Sequence, residues 1–303
     1  MRVTVLSASA FAACCCVVSL AIAPLGAAKA MEVQSEQRLV GFAFPESVGC
    51  DARDGSLYVS QFGSALKPTQ KDGAGFISKL TADGRMKEER FLPAPGQVLN
   101  KPKGIWIEGN RLWVTDIDVV WVFDLNTRRG RKVALPGIQF ANDPTVSGKT
   151  LYVSDNRGDA LYKVEPADFL NSSREPAVSV VFSGSSVNPN GLFPSRDGSI
   201  LMVGFKSKEE PRGVFKLRGS DPVVVSDPVG RLDGVYEFDD GSLLLTDWNS
   251  GSLMRWSAAD GFESLAKGFK GPADFCISGS GSEVMVAVPD LVQSELRLIR
   301  IGM

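Results

Sequence analysis

Apolar residues along this chain recur in short alternating runs, about four to eight positions long and bounded by Gly, Asp, Asn or Pro. That is the period of half-buried β-strands. Helical periodicity is nearly absent. One unit recurs six times: a polar residue at a turn, a short strand, an Asp-Gly-like hairpin, then a more apolar strand. Two clear copies run from Lys101-Pro102-Lys103-Gly104-Ile105 to Leu112-Trp113-Val114-Thr115-Asp116, and from Leu232-Asp233-Gly234-Val235 to Leu243-Leu244-Leu245-Thr246-Asp247. Aligned, the six copies start at Glu46, Lys103, Asn142, Asn190, Asp233 and Asp274, at intervals of 57, 39, 48, 43 and 41 residues. This is the spacing of a four-stranded propeller blade.

The pattern predicts an all-β fold: a six-bladed β-propeller with four strands per blade, formed as a single domain by residues 31–303. The sixth copy has room for only three strands. An unassigned apolar segment at 38–44 precedes the first copy, and this N-terminal strand is expected to complete the last blade and remove an exposed sheet edge. The longest interval contains a loop at 62–75, read as a plain solvent-exposed connection ahead of a lid.

The first thirty residues alter the picture of where the chain works. Arg2 precedes an apolar run from Val3 to Leu25, which ends in Gly26-Ala27-Ala28-Lys29-Ala30. This reads as a secretory signal peptide cleaved near Ala30, so the protein is expected to be exported, periplasmic or secreted. A membrane anchor fits less well, because Ser7, Ser9, Ser19 and Pro24 interrupt the run; lipidation at Cys14 is a minor alternative. Beyond residue 30 no apolar stretch is long enough to span a bilayer. Cleavage leaves 31 basic against 35 acidic residues, a net charge of −4, which gives no electrostatic case for nucleic acid. Only Cys50 and Cys276 lie beyond the leader. They fall near the inner strands of neighbouring blades; a bridge is open to them, but two small packed side chains is the favoured reading.

Histidine is absent from the whole chain. This excludes imidazole bases, histidine metal sites and Ser-His-Asp triads. What remains is the ring of starting positions, which a propeller aims at one mouth of its central channel. Taken singly these are ordinary turn residues, since Asn-Gly, Asp-Gly and Asn-Asp-Pro favour tight turns. Together, three carboxylates and two amides form an oxygen-rich cup suited to one hard divalent cation, most simply Ca²⁺. Without a cation, carboxylates this close must be protonated or paired with Lys103.

Glu46, the Asn142-Asp143 pair, Asn190-Gly191-Leu192 and Asp233-Gly234-Val235 carry a resemblance to the gluconolactonase, senescence marker protein and luciferin-regenerating enzyme family, and more distantly to the paraoxonases. Members of that family are six-bladed propellers with one catalytic divalent cation. The resemblance implies Glu46, Asn190 and Asp233 as metal ligands, Asn142 as a substrate or water contact, and Asp233 as the proton acceptor in hydrolysis of a small lactone or ester. It departs at Pro45-Glu46-Ser47, where the family usually has Glu-Gly-Pro, and at Pro144, where it has Gly. Phe140 stands where an Arg often grips a sugar acid, and Lys103 is a candidate substrate contact in its stead. Asp274 completes the expected channel mouth. A non-catalytic propeller that binds a protein or small ligand is the main rival, and a lyase or isomerase on the same scaffold is a third reading.

Residues 143–150 end in Gly148-Lys149-Thr150 like a phosphate-binding loop, but they occupy a repeat hairpin rather than the start of a helix. No nucleotide is therefore expected. Asp116, Asp155 and Asp247 are read as structural caps at strand ends, with Asp155 the first to reconsider. Trp248 is the tryptophan placed to line the mouth.

Overall fold

The computed structural model describes residues 31–303; the expected leader at 1–30 lies outside the described residues. Twenty-four strands form six four-stranded sheets, and the described residues contain no helix. Blades 1 to 5 run outward in chain order from inner strands at Pro45–Cys50, Pro102–Glu108, Ala141–Ser147, Pro189–Pro194 and Leu232–Glu237. Asp54-Gly55, Asp197-Gly198 and Asp240-Gly241 make the expected hairpins. Each glycine takes a positive φ, and each aspartate accepts the N–H two residues on. Gly148 likewise turns a hairpin between two strands, as expected for a repeat and not for a phosphate loop.

Blade 6 runs outward through Cys276–Ser280, Glu283–Asp290 and Glu295–Gly302, and its outermost strand is N-terminal Glu32–Val40. That antiparallel ladder extends from Glu32↔Gly302 to Val40↔Glu295. The expected closure is present, but the strand begins earlier than the apolar segment 38–44. Its side chains are mostly exposed and polar, so main-chain hydrogen bonds rather than an alternating apolar face define it.

The core lies between blades. Six clusters of buried apolar side chains fill the six interfaces: Leu112 and Val114 meet Tyr58 and Ile77 between blades 2 and 1, and Leu57 and Val59 meet Ala287 and Leu296 across the closing seam. Such burial makes the ring mutually dependent, because each sheet covers its neighbour's face.

The seam also carries a covalent link. Cys50 and Cys276 form a disulfide with a Cα–Cα distance of 5.6 Å, which corrects the favoured reading of two unpaired side chains. The inner strands converge around the channel, where Ser47 and Asp274 form a parallel bridge and the Asp274 N–H donates to the Glu46 carbonyl at 3.2 Å. A few residues later, the two cysteines are within bonding range.

Candidate functional site

Each inner strand of blades 1 to 5 has a register shift where it enters the channel. A bulge of this kind re-aims side chains that a regular strand would alternate between faces. In register, Pro45, Pro102, Ala141, Pro189, Leu232 and Pro272 oppose the last residues of the second strands: Gln61, Asp116, Asp155, Gly204, Asp247 and Asp290. The next position therefore holds Glu46, Lys103, Asn142, Asn190, Asp233 and Ala273. Asp274 stands one place further, level with Ser47, Gly104, Asp143, Gly191 and Gly234. The sixth member of the expected ring is thus an alanine.

The second-strand aspartates keep this ring in place. Asp116 accepts the N–H groups of Asn100 and Lys101, Asp155 those of Gln139 and Phe140, Asp247 that of Arg231, and Asp290 those of Lys270 and Gly271. In blade 1 the Gln61 side chain does the same for Ala43 at 2.6 Å. Every loop entering an inner strand is so fixed except that of blade 4, which ends its second strand in Gly204. These carboxylates are structural, Asp155 included. The glycines after the ring are packing residues in strands and not turn formers. A Cβ at Gly191 would lie 2.0 Å from the Asp233 carbonyl oxygen, and one at Gly104 would overlap the Asp143 carboxylate.

Glu46, Asn142, Asn190 and Asp233 share the floor of a mouth cavity of about 550 Å³, a volume suited to a small molecule. Asn142 Nδ2 donates to Asn190 Oδ1, and Asn190 Nδ2 reaches the Leu232 carbonyl at 3.4 Å. Trp248 does line the mouth, and its Nε1 donates to Asp233 Oδ2 at 2.8 Å. Lys103 is not at this surface. It is fully buried, with Nζ 3.4 Å from the Lys101 carbonyl and 4.2 Å from the centre of the Phe140 ring. Its charge acts on Glu46 from within the wall, so it is not placed as a substrate contact. Asp274 and Asp143 line a separate, narrower cavity of about 180 Å³ that the disulfide also borders. There Asp274 accepts from Ser47 Oγ at 2.7 Å and Asp143 from the Leu192 N–H at 2.7 Å.

Burial dominates the electrostatics. It raises the Glu46 carboxyl well above the usual range, the nearby Asp233 charge raises it further, and Lys103 opposes both. Asp233 is pushed up to about 8 by burial and by Asp274, against hydrogen bonding from Trp248 and Asn190. Asp274 rises to about 7 through burial, and burial raises Asp143 well above its ordinary value too. Desolvation pulls Lys103 down to about 8. Two oxygens of cavity-lining residues, Glu46 Oε2 and Asn156 Oδ1, are buried with no hydrogen-bond partner, and Glu46 Oε2 is the one on a carboxyl group.

The cavity wall is a second ring, which the sequence reading left out apart from Trp248. Phe62, Asn156, Phe205, Trp248 and Leu291 each follow the last residue of a second strand, and all line the cavity. Their shared position in the repeat is the signal that could have found them. Leu66 and Pro68 of the loop 62–75 join the wall, so this loop, exposed over most of its length, also borders the cavity. Buried Lys101 ties it down, donating to the Phe62 carbonyl and to Asp72 Oδ2, both at 2.8 Å.

No protein-family model and no curated protein matches the chain. Among solved structures it resembles virginiamycin B lyase from Staphylococcus aureus, at 13% identity and TM-score 0.59 over 88% of this chain and 98% of that one. A streptogramin B lyase aligns at 12% identity and TM-score 0.57, over 88% and 98%. A protein of unknown function from Bacteroides thetaiotaomicron VPI-5482 aligns at 12% identity and TM-score 0.58, over 89% of this chain and 73% of that one. At these identities the likeness is one of fold, the propeller.

Proposed function

We propose that the protein is an exported, divalent-cation-dependent hydrolase of small lactones or esters, of the gluconolactonase type. The observation that carries this reading is the buried, unpartnered Glu46 Oε2 at the floor of an open cavity beside Asp233, Asn190 and Asn142. A buried carboxylate oxygen without a donor costs several kcal/mol unless it is protonated or meets a cation. Among the described residues no group of three or more His, Cys, Asp or Glu side chains is suited to a metal. The donor set proposed here is instead two carboxylates and an amide, an all-oxygen set that fits Ca²⁺. Glu46, Asn190 and Asp233 would hold the ion.

A bound divalent cation supplies Lewis acidity toward a carbonyl oxygen and lowers the pKa of a bound water. The chain's own residues do the rest. Trp248 restrains Oδ2 of the Asp233 carboxylate by its hydrogen bond, and this group would take a proton from water. Asn142 orients Asn190 through their amide hydrogen bond and itself lines the cavity. Export is supported by the leader-like first thirty residues and by the disulfide, which persists in oxidising compartments.

The structural neighbours named as lyases suggest elimination on the same scaffold. One of them, solved with quinupristin, is a histidine-to-alanine variant described as catalytically inactive. This chain has no histidine, so that chemistry cannot be carried over as it stands.

The test is hydrolysis of a panel of small lactones and aryl esters by residues 31–303, with and without Ca²⁺ after chelation, beside Asp233→Asn. Calcium-dependent turnover that falls about 10²-fold or more in the variant supports the proposal. Absence of turnover on every member, with the cation bound, rejects it in favour of a binding propeller.

A further inference from the structure

The mouth cavity is chemically two-sided. Apolar and aromatic side chains from four blades line it, Phe62 and Leu66, Phe205, Trp248 and Leu291, with Phe205 and Trp248 edge to face at 5.5 Å. Blade 3, next to the blade that carries Phe205, supplies Arg157. Its guanidinium lies 4.1 Å from the centre of the Phe140 ring, the ring that Lys103 also approaches from within the wall. Arg157 is exposed and, among the described residues, makes no ion pair and no side-chain hydrogen bond. Two other cations near this end are engaged, Lys206 with Glu210 at 2.7 Å and Arg231 Nε with Asn249 at 2.8 Å, whereas Lys67, on the loop 62–75, is exposed and unpaired among the described residues.

A guanidinium held over a ring face keeps N–H groups free, and its planar fork matches a carboxylate. The backbone beneath it is held, because Asp155 accepts the N–H groups of both Phe140 and Gly158. The site is therefore preorganised on both sides of Arg157. The polyol of a sugar acid would leave unpaired those hydroxyls that face Phe62, Phe205, Trp248 and Leu291, at a cost for each. An aryl or alkyl body would instead bury apolar surface there.

We propose that the cavity takes a small amphipathic monoanion: a carboxylate head on Arg157 and an aromatic or branched alkyl body against Phe205 and Trp248. This rests on the hydrolase reading only for the reacting group, which would be a lactone or ester within such a molecule. Phe140, which stands in place of the family's arginine, thereby becomes the platform for a different arginine from the next loop of the same blade.

Equilibrium binding tests this independently of turnover. Phenylacetate, phenylacetamide and gluconate are titrated into residues 31–303 saturated with Ca²⁺, followed by tryptophan fluorescence and by calorimetry, in the native chain, Arg157→Gln and Phe205→Ala. Phenylacetate should bind about tenfold or more tightly than its neutral amide and than gluconate. Arg157→Gln should remove the preference for acid over amide while leaving amide binding in place. Phe205→Ala should weaken acid and amide by similar factors. An acid preference that survives Arg157→Gln would put the anion on the cation and overturn the assignment; so would equal binding of acid and amide, tighter binding of gluconate, or no binding of any probe. An Arg157-dependent preference without lactone or ester turnover would uphold this site while rejecting the hydrolase.

Discussion

Replacing both Cys50 and Cys276 with alanine removes the covalent seam between blades 1 and 6. The bridge spans a sequence separation of 226 residues, nearly the whole domain. In the chain-entropy account, a cross-link closing a loop of that size restricts the unfolded ensemble by about 5 kcal/mol at 25 °C, whereas bridges commonly deliver about 2–4 kcal/mol. The native ring has a second closure in the Glu32–Val40 ladder, so the folded state should persist and the loss should arise chiefly in the unfolded state. Urea unfolding of oxidised residues 31–303 against the double variant should show a loss of about 2–5 kcal/mol, a large share of a domain's usual stability. Reduced native protein should agree with the variant. Both half-cystines border the narrow lower cavity and not the mouth, so calcium affinity below the unfolding range should not change. A loss under about 1 kcal/mol, or two titratable thiols in the unreduced chain, would refute the argument.

Two further outcomes follow from the channel. In chelated protein, Asp233 and Asp274 are pushed up to about 8 and about 7 from an ordinary value of 3.8, so the folded chain binds more protons than the unfolded chain between roughly pH 4 and 8. Stability of the calcium-free protein should therefore fall as pH rises through that window, and saturating Ca²⁺ should suppress the fall; a melting temperature that climbs steadily from pH 5 to pH 8 without calcium would contradict this. Lys103, pulled down to about 8, acts in the opposite sense only above that window. Gly191→Ala would place a Cβ 2.0 Å from the Asp233 carbonyl oxygen, forcing apart the inner strands that carry Asn190 and Asp233. The expected result is a loss of about 1–3 kcal/mol together with weakened calcium binding, and a variant with both unchanged would show that this close approach is not needed.

The repeat was legible because hairpin chemistry and strand period agree at each blade: Asp54-Gly55, Asp197-Gly198 and Asp240-Gly241 punctuate the chain where it turns. Four of the mouth residues, Glu46, Asn142, Asn190 and Asp233, were legible for the same reason. The sixth position was not, because Asp274 is the one polar residue of Pro272-Ala273-Asp274 and draws the alignment one place on, whereas the Pro272↔Asp290 bridge selects Ala273. Lys103 carried a charge that suggested a surface role, whereas it is fully buried with its Nζ against the Phe140 ring. The cavity wall escaped notice because Phe62, Asn156, Phe205, Trp248 and Leu291 share a place in the repeat but no common chemistry. The loop 62–75 gave no hint of Lys101, whose anchoring bonds span 39 and 29 residues of sequence. The disulfide required knowing how closely the first and last inner strands approach, which depends on ring closure and not on local pattern.

The cation site is the centre of the account, and calorimetric titration of Ca²⁺ into chelator-stripped residues 31–303, beside Glu46→Gln and Asp233→Asn, tests it most directly. The account predicts one saturable site per chain, weakened about a hundredfold or more in each variant. No saturable binding, or binding of equal strength in all three proteins, would contradict it.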